Sequence, residues 1–255
     1  MREREKELFD ELLKVIAEKR NDFPETKDKI KLTAFSAVQG PNYSKDGSFM
    51  VVGRAANQWA IGWLPDKVAS AEGRKEILDD VYIQGEDKKL FTSDVWGDEE
   101  QYNTHKSAFW RVTELVTKEL QIVNAEGVWR DHLIYSNLYK ISPFKGGNPS
   151  DKLCATQERL CSELLMEELA QWTPKRVLFL TGMKYWAKPF TEYLRVETRG
   201  HAETMKHVEY TGKLFLPQSG STSNIVVAQH PQGKKGGEIE IVNEIKSAFG
   251  KLENA

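Results

Sequence analysis

The chain has 255 residues, of which 40% are hydrophobic and 29% are charged, and its formal net charge at pH 7 is −2. This length and composition favour one globular domain with a substantial core. No apolar run approaches the roughly 20 residues that cross a bilayer, which argues against a membrane protein. We therefore expect a single domain over residues 1–255, in the cytoplasm, and any nucleic-acid surface must be a local patch because the net charge is small.

The predicted elements alternate between strands and helices. Residues 1–20 carry apolar side chains at helical spacing among charges and predict an amphipathic helix packed on the domain. Short β-branched and aromatic runs predict buried strands, and 3.6-residue spacing predicts the helices between them. In chain order, the remaining segments are a strand at 49–53, a helix at 103–119, a strand at 132–137, a helix at 155–172, a strand at 176–181, a helix at 184–194, a strand at 224–229 and a helix at 238–249.

This alternation predicts the α/β class, as a three-layer α/β/α fold around a central, mainly parallel four-stranded sheet. Residues 204–217 interrupt the alternation, and two short runs around Thr211 and Gly212 predict a β-hairpin at the sheet edge. Residues 31–48 and 70–100 match no pattern and are left unassigned.

The residues that end or follow the four predicted strands are the candidates for a ligand site, because ligands of parallel sheets bind beyond the carboxyl ends of the strands. They are Gly53, Arg54, Asn57, Gln58, Trp59, Trp63, Asn137, Lys140, His230, Gln232, Lys234 and Lys235. Amides, aromatic rings and one histidine suit a planar, neutral, hydrogen-bonding ligand such as a nucleobase. The chain has no HExxH, GxSxG, P-loop or GxGxxG pattern and no carboxylate pair among these residues, which argues against zinc hydrolases, serine hydrolases and two-carboxylate glycosidases.

Several segments, in this order, resemble motifs of the uracil-DNA glycosylase superfamily. The first motif corresponds to MVVGRAANQW, the strand with a base-reading Asn to HLIYSNLYKISP, and the His-Pro loop to VVAQHPQGKKGG. NTHKSAFWR is similar to the Phe-Trp helix of the mismatch-specific branch, and GGNPSDKLCATQERLCSELLMEELAQWTPKRVLFLTG to a stretch of the iron-sulfur branch. The resemblance extends from about residue 49 to the C-terminus. It implies a uracil-DNA glycosylase-like fold and hydrolysis of the N-glycosidic bond of uracil or a related damaged base in DNA.

The resemblance also implies roles for single residues, each with a structural alternative. His230 would stabilise negative charge on the departing base, or it caps the end of a strand. Asn137 would select the base, or it satisfies local backbone. Asn57 or Gln58 would hold the attacking water, although Asn is also common in turns.

Other candidates have weaker signals. One of Trp59 and Trp63 is expected to stack on a base, while a buried core position is the common alternative for Trp. Lys234 and Lys235, like Lys140, are candidates for phosphate contact, with solvated lysines as the alternative. Two further pairs are expected to be structural: Phe109 with Trp110 as core residues, and Cys154 with Cys161 as reduced thiols.

Three departures from the family pattern shape the expected function. Ala55 stands two residues after Gly53, where the family usually has a water-activating Asp or Asn. Ile141 replaces one cluster cysteine and only Cys161 matches another, so we expect no iron-sulfur cluster, and no metal or other cofactor. The His-Pro loop carries Gln232 and lysines instead of an apolar wedge, so we expect an extruded or single-stranded base as substrate.

Two alternatives to a glycosylase stay open. Ala55 favours a non-catalytic superfamily member that binds single-stranded nucleic acid or a free base or nucleotide. An unrelated α/β enzyme acting on a small molecule is favoured if the four strand ends do not converge on one pocket.

Overall fold

The computed structural model of the chain describes residues 3–44, 48–56, 61–86, 106–123, 127–232 and 237–255. The helices in these ranges are α1 (Glu3–Lys19), α2 (Pro24–Lys27), α3 (Ala71–Glu86), α4 (Ala108–Glu119), α5 (Asp151–Trp172), α6 (Lys188–Tyr193) and α7 (Glu238–Glu253). The strands are β1 (Leu32–Ala34), β2 (Val38–Gln39), β3 (Phe49–Ala55), β4 (Leu133–Tyr139), β5 (Ile141–Pro143), β6 (Arg176–Leu180), β7 (Glu197–Thr198), β8 (Val208–Leu216) and β9 (Ser221–Ala228). The α/β class is confirmed.

The larger sheet is mixed. In the described part of the chain it has seven strands, in the order β2-β4-β3-β6-β9-β8-β7. β3 and β9 pair in parallel with β6, whereas β2 pairs antiparallel with β4, and β7 and β9 pair antiparallel with β8. The four predicted strands form the contiguous run β4-β3-β6-β9. The sheet thus has three strands beyond the expected four. β8 falls in the segment that was predicted as a hairpin, and β2 and β7 have only two residues each and leave no periodic signal.

The hairpin predicted around Thr211 and Gly212 is wrong. Both residues lie inside β8, which pairs with β9 on one side and, at Gly212, with β7 on the other. A Cβ at Gly212 would lie 2.6 Å from Val196 Cγ1 and 2.7 Å from the Glu197 carbonyl oxygen, so this glycine permits close approach of a neighbouring chain segment. The true turn follows β8, where the amide of Gly220, at φ 66°, donates to the Leu216 carbonyl.

Sequence and structure agree better on the helices, with shifted ends. The helix predicted over 1–20 is α1, and its buried stripe is Leu8, Phe9, Leu12, Leu13 and Ile16. The helix predicted at 155–172 begins earlier, at Asp151, because the Ser150 hydroxyl accepts the Leu153 amide as an N-cap. The segment predicted at 184–194 starts as a π-helical turn, Met183–Ala187, before α6. Residues 103–105 of another predicted helix lie outside the described ranges, and its remainder is α4.

The unassigned segments contain regular structure. Residues 31–48 include β1 and β2, and residues 70–100 include α3. β1 pairs antiparallel with β5 in a separate two-stranded sheet. No helix in the described ranges is long and apolar enough to cross a membrane.

The chain forms two compact units. Unit 1 comprises Met1–Ala37, Arg54–Asp87 and Asn137–Glu168, and unit 2 comprises Val38–Gly53, Lys88–Ser136 and Leu169–Ala255. Unit 1 contains α1 to α3, the β1/β5 sheet and most of α5. Unit 2 contains α4, α6, α7 and most of the larger sheet. The assignment of residues 1–255 to one domain stays a prediction.

Candidate functional site

The structure distributes the predicted site residues over both units. Gly53, His230 and Gln232 belong to unit 2, and Arg54, Trp63, Asn137 and Lys140 belong to unit 1. Asn57, Gln58, Trp59, Lys234 and Lys235 lie outside the described ranges. Within unit 2, the carboxyl ends of β6 and β9 bring His230 together with further functional groups, and we call this region the β6/β9 edge.

His230 follows β9 in a short polar loop. Its ring is half-buried, and its Nδ1 accepts a hydrogen bond of 3.2 Å from the backbone N–H of Gln232. A backbone amide only donates, so Nδ1 is the acceptor, and a neutral ring must carry its proton on Nε2. The loop therefore selects the tautomer in which Nε2 is a hydrogen-bond donor.

One face of the His230 ring packs on an aromatic cluster. The Phe109 ring lies 6.2 Å from it, centroid to centroid, at an interplanar angle of 25°. Phe109 in turn meets Trp110 and Tyr135 edge-on, with centroids 4.8 and 5.9 Å away, and Trp110 lies 6.1 Å from Trp129. Stacking in a packed cluster fixes the plane of the histidine ring.

Phe109 and Trp110 are buried, as predicted, because they are on the inner face of α4. Val112 and Val116 share that face, and the hydroxyl of Thr113 is satisfied by the Phe109 carbonyl one turn earlier. The sequence predicted this packing but gave no indication that Phe109 also touches His230. The contact joins residues 121 positions apart, so it depends on tertiary structure.

The residue before His230 is anchored to the two residues that precede β8. The Gln229 amide donates to the His207 carbonyl at 2.8 Å, and its side-chain Nε2 donates to the Lys206 carbonyl at 3.1 Å. The same segment is held from α7, where the Glu244 carboxylate accepts the amides of Lys206, His207 and Val208 at 3.0, 2.6 and 3.1 Å. Three charge-assisted hydrogen bonds thus fix the backbone that supports the His230 loop.

The segment after β6 is bonded to the end of β9, two residues before His230. Gly182 has φ 80°, a value that favours glycine, and its amide donates to the Ala228 carbonyl at the end of β9. The next amide, that of Met183, donates to the Glu209 carboxylate at 2.6 Å. The π-helical turn that follows presents the Tyr185 ring, which is 75% exposed. Tyr185 was not among the predicted site residues, although its place four residues after the end of a predicted strand was a usable signal.

The predicted site residues of unit 1 are mostly internal. Trp63 is 5% exposed and pairs with Leu32 through both backbone groups, so it occupies the core position that was the alternative for it. Asn137 is buried within β4, and Arg54 is half-buried in β3. Ala55 ends β3 with no polar side-chain atom.

Lys140 has a different environment from the predicted one. Its ammonium is 2.6 Å from Glu168 Oε1, and both side chains are 1% exposed. An ammonium enclosed in an internal ion pair is not placed to contact a phosphate, so that assignment of Lys140 is corrected. The cluster extends to Glu5, which accepts the Ser36 hydroxyl at 3.3 Å. Burial, reinforced by Glu168, raises the pKa of Glu5 to about 7.

The two cysteines do not fit an iron-sulfur cluster. Cys161 is fully buried, accepts the Lys140 amide and lies 3.4 Å from Gln157 Oε1. Burial raises the pKa of both Cys154 and Cys161 to about 12. The sequence has two cysteines, whereas an iron-sulfur cluster is usually held by four. In the described ranges, no three His, Cys, Asp or Glu side chains lie together in a way that would hold a metal ion.

A scan of the chain against protein-family models finds no match, and a search of curated proteins finds none either. The function of the β6/β9 edge is therefore argued from its geometry.

Proposed function

We propose that this protein hydrolyses the N-glycosidic bond of a damaged base in DNA, uracil or a related lesion, on a uracil-DNA glycosylase-like fold. The observation that carries the proposal is the hydrogen bond from the Gln232 amide to His230 Nδ1. In the neutral imidazole this bond places the proton on Nε2, at a loop beyond the carboxyl end of a parallel strand, where ligands of such sheets bind.

The chemistry follows from that donor. The bond between C1′ of the sugar and the base nitrogen breaks first, its electron pair stays on the base, and the sugar gains oxocarbenium character. The His230 Nε2–H stabilises the negative charge that spreads to a carbonyl oxygen of the base. Water then adds its oxygen to C1′, and its proton completes the free base. A neutral donor suits this role because it does not need to change protonation state.

The surroundings of His230 support preorganisation. Phe109 stacks on the ring, the Gln232 amide fixes its tautomer, and Gln229 ties the loop to the residues just before β8. A donor held in place before the reaction incurs no reorganisation cost when charge develops. These contacts all lie within unit 2.

A second candidate is a protein that binds single-stranded nucleic acid or a free base without cleaving it. Ala55 favours it, since a methyl group ends β3 at the position where a water-activating Asp or Asn is expected from the resemblance. Asn57, the nearest polar alternative, lies outside the described ranges. In this candidate the same β6/β9 edge binds the base, and His230 contributes to affinity alone.

The test is single-turnover base release from oligonucleotides containing uracil, hypoxanthine or 5-hydroxymethyluracil, single- and double-stranded, read as alkaline cleavage at the abasic site. We expect release by the native protein and a loss of about 10²- to 10³-fold in His230→Ala, the usual effect of removing one preorganised donor. Asn57→Ala shows in the same assay whether Asn57 matters.

The matched control is His132→Ala, at a half-buried histidine directly before β4, which should retain the native rate. Absence of release from every substrate by the native protein would contradict the glycosylase and leave base binding as the remaining candidate.

A further inference from the structure

Tyr185 is the most exposed large hydrophobic residue in the described ranges, at 75%. Single exposed aromatic rings are ordinary on protein surfaces, so exposure alone indicates little. The notable feature is the attachment of this ring. The amides of Gly182 and Met183 are bonded to the Ala228 carbonyl and the Glu209 carboxylate, and the Ala187 amide returns to the Gly182 carbonyl. The backbone on both sides of Tyr185 is therefore fixed before any ligand arrives.

The ring is also presented at the same edge as His230. Leu180 and Ala228 are register partners at the carboxyl ends of β6 and β9, and parallel neighbours lie about 4.8 Å apart. Tyr185 is five residues beyond Leu180, and His230 is two residues beyond Ala228. The half-buried His230 ring and the exposed Tyr185 ring thus follow the carboxyl ends of two neighbouring strands within unit 2.

The groups around Tyr185 suit a ligand that carries several negative charges and planar rings. The Lys184 ammonium lies 5.1 Å from the centroid of the Tyr185 ring, which gives the ring a cationic neighbour. Glu209, the nearby carboxylate, is engaged by the Met183 amide. Aromatic platforms with adjacent cations are the usual means of binding unpaired nucleotides, since every base has a π-face and every linkage a phosphate.

We infer that Tyr185 is a stacking subsite for the nucleobase next to the one at His230, and that the protein therefore prefers single-stranded DNA. A flanking base in a duplex stays paired and stacked on one neighbour even when the target base is extruded, whereas the bases of a single strand are free to turn towards Tyr185. The inference rests on the proposed function for the location of the strand but not for any chemical step.

The experiment measures fluorescence anisotropy of an end-labelled, undamaged oligothymidine strand and of a duplex of the same length. We expect Tyr185→Ala to weaken single-strand binding about tenfold, within the range that one stacked base contributes. Tyr185→Phe keeps the ring and should bind within about twofold of the native protein. Duplex binding should be weaker and should not respond to either substitution.

Phe215→Ala is the matched control. Phe215 is 60% exposed and pairs with Thr222, six residues before Ala228 and so about 20 Å from the carboxyl end of β9. We expect Phe215→Ala to bind the single strand and the duplex with the native affinity. Neither alanine variant should change the melting temperature. Equal single-strand affinity of Tyr185→Ala and the native protein, an equal loss in Phe215→Ala, or no measurable native binding would each overturn the inference.

The two proposals can fail separately. Single-strand binding that depends on Tyr185, without base release, would support the stacking subsite and contradict the glycosylase. Base release that depends on His230, with unchanged single-strand affinity in Tyr185→Ala, would support the glycosylase and contradict the stacking subsite.

Discussion

Charged side chains are used differently in the two compact units. In unit 1, Lys140 and Glu168 form an ion pair that is 1% exposed, and Glu5 is buried beside them at 3%. In unit 2, Glu244 lies near the surface of α7 and accepts three backbone amides, and Arg111 pairs with Glu238 at side-chain exposures of 40% and 24%.

The difference shows that residue type alone does not reveal a residue's role. Lys140 follows a strand, as a ligand-binding lysine does, yet its ammonium is internal. His230 also follows a strand, and its ring remains half-exposed and oriented by its own loop. Lys140, Glu168 and Glu5 are energetically coupled because little solvent screens them. Glu244 instead acts through local hydrogen bonds that position the backbone.

The largest expected effect comes from breaking the buried pair. Lys140→Met leaves the Glu168 carboxylate buried without its cation, and we expect the free energy of unfolding to fall by about 3 to 5 kcal/mol. Urea denaturation measures it, with Lys188→Met as the control, since Lys188 is 59% exposed and its variant should change stability by less than about 0.5 kcal/mol. Lys140→Met with Glu168→Leu should recover most of the loss. A fall below about 1 kcal/mol in the single variant would contradict this account.

The second largest expected effect is on how the free energy of unfolding depends on pH. Burial raises the pKa of Glu5 from 4.5 to about 7, with Glu168 acting in the same direction and Lys140 and Ser36 opposing. The folded state therefore binds the Glu5 proton more tightly than the unfolded state does. The resulting stabilisation of the fold is fully present below about pH 4.5 and is lost as pH rises through about 7. We expect this group to lower the free energy of unfolding by on the order of 3 kcal/mol between about pH 5 and about pH 8.

Glu5→Gln should remove that fall and be more stable than the native protein at about pH 8. Glu7→Gln, on the same helix and with a side chain that is 60% exposed, should retain the native pH profile. Parallel profiles for the native protein and Glu5→Gln would show that Glu5 does not titrate in this range.

The smallest effect is expected in unit 2. Glu244→Gln keeps the shape of the side chain but weakens its bonds to the amides of 206–208, and we expect a loss of about 1 to 2 kcal/mol. Amide hydrogen exchange at 206–208 should accelerate, and Asn243→Ala, at an exposed neighbour on α7, should leave it unchanged. Unchanged exchange in Glu244→Gln would mean that the carboxylate does not hold this segment.

The sequence by itself determined the α/β class, the strands β3, β4, β6 and β9, and the position of His230 at a strand end. Runs of β-branched residues and helical spacing are local patterns, so a single chain displays them. Tertiary structure decided the rest. Short strands such as β2 and β7 form only where a neighbouring strand supplies their hydrogen bonds. Gly212 allows a neighbouring chain segment to come close, whereas from the sequence alone a glycine at this position predicts a turn. The buried Lys140–Glu168 pair and the stacking of Phe109 on His230 are contacts between residues far apart in the chain, so no local sequence pattern encodes them.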